Sequence, residues 1–108
     1  MANLNKEEYG QVVYSPDFGQ DISSASSVNF ILEPQEGARL DRTTANGVAI
    51  GSSNVTVDDT LLLANQYLSY TILSGDLTYA GKWRIKGEAS LSATNKIITN
   101  FKTINVNE

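Results

Sequence analysis

The sequence predicts an all-β fold, an antiparallel β-sandwich of seven or eight short strands. Three observations predict it. Val, Ile and Thr number 7, 8 and 9 among 108 residues; such β-branched side chains suit pleated strands and lose entropy in helices. Two stretches alternate with period two. Val28, Phe30 and Leu32 are interleaved with Asn29 and Ile31, and Trp83, Ile85, Gly87 and Ala89 with Lys82, Arg84, Lys86 and Glu88. Turn-forming residues recur about every 8–12 positions, the spacing of sandwich strands.

The elements follow in order. Residues 1–8, MANLNKEE, form a polar N-terminal arm, and residues 9–108 form one domain. Tyr9 to Tyr14 gives a first or edge strand, stopped by Pro16, Asp17 and Gly19. The alternation at Val28–Phe30–Leu32 gives a second strand. Its end is marked by Pro34-Gln35-Glu36-Gly37, in which proline presets one backbone angle and glycine accepts a positive one. ARLDRTT, VAIG and NVTVDD supply further short strands, with Asn46-Gly47 as a turn between the first two. Residues 58–65 are expected to make a brief turn, with a helical turn starting at Asp58 or Asp59 and carried by Leu61, Leu62 and Leu63 as the alternative reading. A strand over 66–73 follows, closed by Ser74-Gly75-Asp76. GKWRIKGEA is a half-buried strand with a charged outer face, and Gly87 marks a bulge or a close contact. SLSATNK connects it to KIITNFKTINV. The apolar positions of that last strand change phase between Ile97 and Ile104, as a bulge or two buried faces would require.

Composition narrows the function. The chain contains no cysteine and no histidine. Disulfides and thiolate chemistry are excluded, and the usual general base and commonest metal ligand are missing. Serines are abundant, but no GxSxG occurs and no histidine is present to activate one. No spacing pairs two carboxylates for acid–base work, and no phosphate loop or dinucleotide fingerprint is present. The expectation is a non-enzyme without cofactor or metal. The net charge is −4, and no basic cluster combines with several aromatics, so nucleic acid is not an expected partner. No apolar run reaches membrane-spanning length, and no membrane partner is expected. Charge is uneven: residues 1–78 carry 3 basic and 10 acidic side chains, whereas residues 79–108 carry 5 and 2. Complementary surfaces of this kind allow stacking between copies, so a homo-oligomer is open to the chain.

Trp83, the only tryptophan, reads as a core anchor. Tyr9, Tyr14, Tyr67, Tyr70 and Tyr79 divide between core packing and subunit or carbohydrate contact. Asp17, Asp21, Asp58 and Asp59 lack the spacing of a calcium loop and read as surface or turn-capping groups. Asn54-Val55-Thr56 is a glycosylation sequon that reads as a polar loop or strand edge.

Three segments carry a family resemblance. DISSASSVNFILEPQEG (residues 21–37) places an early Asp and small residues before an alternating strand that ends at Pro and Gly. YAGKWRIKGEA (79–89) has glycine and tryptophan leading a basic strand, and IITNFKTINV (97–106) closes on an isoleucine/valine pattern. Together they resemble an immunoglobulin-like module of tailed-phage virion proteins, nearest to the N-terminal domain of phage baseplate upper proteins. The resemblance spans about residues 20–106; TLLLANQY departs from the pattern. It implies an immunoglobulin-like sandwich, location in the virion, and other virion proteins as partners. The expected function is structural, in a tail, baseplate, neck or head-attached fibre, with the polar arm as the attachment segment. A carbohydrate- or receptor-binding module is the alternative.

Overall fold

A computed structural model describes residues 4–108. The described chain is all-β, with a single 3-10 turn at Thr44–Asn46. The larger sheet is built on two long strands, β3 (Ser27–Pro34) and β9 (Gly81–Ser92), paired antiparallel from Ser27↔Ser90 to Pro34↔Trp83. These are the two stretches whose alternation is strongest. On β3, Val28, Phe30 and Leu32 are buried; on β9, Trp83, Ile85 and Ala89 are buried. The edge of β3 carries β4 (Leu40–Arg42), and the far edge of β9 is shared by β10 (Asn95–Ile98) and β11 (Lys102–Asn107).

A second ladder joins β2 (Val12–Tyr14), β8 (Leu68–Thr71) and β5 (Ala49–Ile50). The two ladders contribute to one apolar core, in which Val13, Leu68 and Tyr70 meet Phe30, Leu32, Trp83, Ile85 and Ile104. The Phe30 and Tyr70 rings lie 5.6 Å apart between centroids. Burial of such side chains contributes roughly 1.5–3 kcal/mol each.

The final strand bulges where its apolar phase shifts. Ile98 is opposite Glu88 and Lys102 is opposite Ile85, four steps on one strand against three on the other. Thr99 occupies the gap. Its N–H donates to the Gly87 carbonyl at 3.0 Å, and its hydroxyl accepts the Gly87 N–H at 3.0 Å. The side chain thus replaces the backbone acceptor that the bulge displaces. A Cβ on Gly87 would come within 2.7 Å of the Phe18 ring, so the expected close contact is present as well.

Three expectations are corrected. Residues 58–65 are not one brief turn, nor the start of a helix: the turn is confined to Asp58-Asp59 and a strand follows it. Val55–Val57 (β6) and Thr60–Leu62 (β7) form a hairpin around Asp58 and Asp59, whose φ angles are 52° and 64°. Two left-handed central residues are the geometry of a tight type I′ hairpin, usually built with glycine. Asp59→Gly is therefore expected to raise stability, by a few tenths to about 1 kcal/mol; urea unfolding with no gain would contradict the strain. Second, SLSATNK is no free connector, because β9 continues to Ser92 and turns directly into β10. Third, the sheet is not wholly antiparallel. Leu4–Asn5 (β1) pairs in parallel with Val106 and Asn107 of β11.

That pairing also places part of the expected N-terminal arm. Leu4 is buried, and the Lys6 and Glu7 N–H groups donate to Asn107 and Leu77 carbonyls at 2.6 and 2.7 Å. Residues 4–7 are thus tied to the body, while residues 1–3 of the arm lie outside the described residues. Deleting residues 1–8 would remove a core side chain together with any attachment segment.

Candidate functional site

Alternation that turns Trp83 and Ile85 inward turns Lys82, Arg84 and Lys86 outward. Register then assembles a row across three strands: Glu33 of β3, Arg84 of β9 and Thr103 of β11 stand at one level. Lys82 stands two positions along the same face. The β3–β4 connection adds a wall carrying Gln35, Gly37 and Arg39, so that an open groove of about 530 Å³ lies over the sheet. Gly37 has a φ of 102° and lies so close to the Tyr79 ring that a Cβ would approach it to 2.5 Å. The positive φ favours glycine at this turn, and the missing side chain lets the Tyr79 ring lie against it.

Charge dominates the groove. Its lining holds three cations, Arg39, Lys82 and Arg84, and one carboxylate, Glu33. Arg84 donates to Glu33. Arg39 pairs with Asp41 at 2.9 Å, and this hydrogen bond, reinforced by the charge of Asp41, raises the guanidinium pKa. Lys82 has no ion-pair partner among the described residues. Phe101, 39% exposed, lies beside the groove, with the Arg84 guanidinium 4.1 Å and the Lys86 ammonium 4.6 Å from its ring centroid. Farther along the face, Glu88 is only 9% exposed and pairs with Lys96 at 3.0 Å, a departure from the fully solvated face that alternation suggests.

The outer side of the second ladder is chemically different. Val12 is opposite Thr71, and Tyr14 and Ala49 flank Ser69. None of these side chains is charged.

A second polar cluster lies between the sheets. Asp76, 3% exposed, accepts from the Tyr70 hydroxyl, from Arg42 Nη2 at 2.7 Å and from the Leu73 N–H at 3.0 Å. Arg42 Nε also donates to the Tyr70 oxygen at 3.2 Å. Arg42 belongs to β4 and Tyr70 to β8, so the cluster fastens the larger sheet to the smaller ladder. Burial, followed by the hydrogen bond to Asp76, pushes the Tyr70 pKa up to about 12, while Arg42 opposes the rise. An unfolded tyrosine titrates near 10. Tyr70 thus contributes stability that is complete below about pH 10 and is lost as pH rises towards about 12. Tyr70→Phe is expected to flatten the stability loss across that interval. Parallel alkaline denaturation curves for the two proteins would contradict this.

The other candidate residues lie apart in space. Trp83 is a core residue, as expected, and Tyr67 and Tyr70 are buried. Tyr14 meets Tyr67 edge-on at 5.8 Å, while Tyr9 and Tyr79 are exposed. Asp17 and Asp21 cap their own turns by accepting from the Gly19 and Ser23 N–H groups at 2.8 and 2.7 Å. Among the described residues no group of three potential metal ligands converges. Asn54 of the sequon accepts the Ala64 N–H at 2.8 Å and so ties two loops together. Among the described residues no helix is long and apolar enough to cross a membrane.

The groove itself has only a partial signal in the sequence. The alternation of Lys82, Arg84 and Lys86 was the available signal; the contributions of Glu33, Arg39 and Phe101 depend on pairing and turn geometry. Comparison with protein-family models, with curated proteins and with solved structures found no match.

Proposed function

We propose that the chain is a non-catalytic assembly module, an immunoglobulin-like β-sandwich that serves as a structural component of a tailed-phage virion. Its place would be a tail, baseplate, neck or head-attached fibre, with other virion proteins as partners and a homo-oligomer as one available arrangement. The observation that carries this reading is the chemical asymmetry of one cross-braced body. One outer face is a charged groove and the other is an uncharged strip. A body joined across its layers by Arg42, Asp76 and Tyr70 can transmit load between two different neighbours. The three segments that resemble phage modules supply the biological setting. Electron microscopy of the parent particle tests it: density for the chain at regular attachment points is expected, and its absence from purified particles would overturn the assignment.

A receptor- or carbohydrate-binding role has one observation in its favour, the exposed rings of Tyr79 and Phe101 near the groove. Sugar rings stack on a free aromatic face. Phe101 instead carries two cations, Arg84 and Lys86, which favours the assembly reading. Selective glycan binding by a secreted monomer would reverse that preference.

A further inference from the structure

We infer that the groove over β3, β9 and β11 receives an acidic, extended peptide segment of a partner protein. This inference rests on the assembly reading and names the chemistry of one contact. Three cations face one carboxylate in a groove of about 530 Å³, although the whole chain carries a net charge of −4. That volume lies within the roughly 300–1,000 Å³ typical of pockets that enclose a compact ligand. It therefore suits a few residues rather than a folded surface.

The cations differ in readiness. Arg39 and Arg84 are held in place by Asp41 and Glu33. Lys82 has no ion-pair partner among the described residues and projects from the same strand as Arg84. An incoming carboxylate gains a full partner in Lys82 and shares Arg39 with Asp41. Glu33 disfavours a densely charged polymer, because each added anionic group would approach a fixed carboxylate. A peptide avoids that conflict. Its isolated carboxylates meet the cations while its backbone N–H groups can donate to Glu33. Thr103, exposed at the end of the row, adds a hydroxyl that can donate or accept.

The experiment uses the full chain and two labelled hexapeptides, one alternating glutamate with alanine and one alternating glutamine with alanine. Fluorescence anisotropy should show binding of the glutamate peptide in preference to the glutamine peptide, weakening as salt is added. Removing two of the three groove cations, in Arg39→Ala/Lys82→Ala, should weaken binding roughly tenfold. The charge-matched Lys6→Ala/Lys102→Ala variant should bind as the parent does, since neither lysine lines the groove. Equal affinity for the two peptides, or equal losses in the two variants, would overturn the inference. Tighter binding of a sulfated oligosaccharide than of the glutamate peptide would also overturn it. Concentration-dependent dimerisation at low salt, abolished by Arg39→Ala/Lys82→Ala, would replace the partner segment with a second copy. If the peptide fails to bind but the chain is found in particles, the groove assignment falls and the assembly reading stands. If the peptide binds but the chain is absent from particles, the reverse holds.

Discussion

Trp83→Ala is expected to cost about 3–5 kcal/mol, a large share of the stability of a domain this size. Trp83 is 1% exposed and sits on the central of three paired strands, opposite Pro34 on β3 and Ile104 on β11. Truncation removes the indole from the shared core and leaves a cavity that rigid strands on both sides cannot close. It also removes the hydrogen bond from Nε1 to the Tyr79 carbonyl, 3.0 Å long, which anchors the segment leading into β9. Trp83→Phe separates the two effects. It keeps most of the ring but not the donor, so its cost should be markedly smaller. Urea unfolding followed by circular dichroism measures both variants. Unchanged stability in Trp83→Ala would show that the residue is not the core anchor.

The position of Trp83 was legible because its strand alternates without interruption, and a period of two admits only one assignment of faces. On β3 the pattern is less clean, because Ile31, on the face opposite Phe30 and Leu32, is buried as well. The bulge at Thr99 was legible as a phase shift, although not which residue fills it. Other features have no local signature. β1 has two residues, and its pairing joins Leu4 to Val106 across nearly the whole chain. The Asp58-Asp59 turn was obscured because two aspartates followed by Leu61, Leu62 and Leu63 fit a helix N-terminus as well as a hairpin. The preference was settled by cross-strand pairing with Val55–Val57. The groove was half legible. The outward cations of β9 follow from alternation, but Glu33 comes from a strand some fifty positions away and Arg39 from a turn whose shape depends on Gly37 and Tyr79.

Arg42→Ala should cost about 3 kcal/mol, the lower end of the range for breaking a buried ion pair. The cost arises from what remains. Asp76 is 3% exposed, and without Arg42 its carboxylate keeps only the Tyr70 hydroxyl and the Leu73 N–H. Both are neutral donors, and neither cancels a buried charge. Arg42 is itself about a quarter exposed, and water reaching the vacated space keeps the penalty from rising further. Asp76→Ala removes the charge but leaves Tyr70 and Leu73 without their acceptor, so it too is destabilising. Once Asp76 is absent, losing Arg42 strands no carboxylate. The double variant should therefore cost less than the sum of the singles, with a coupling of about 1–3 kcal/mol. A double-mutant cycle in urea measures this directly. Strict additivity would mean that Arg42 and Asp76 do not act as a pair.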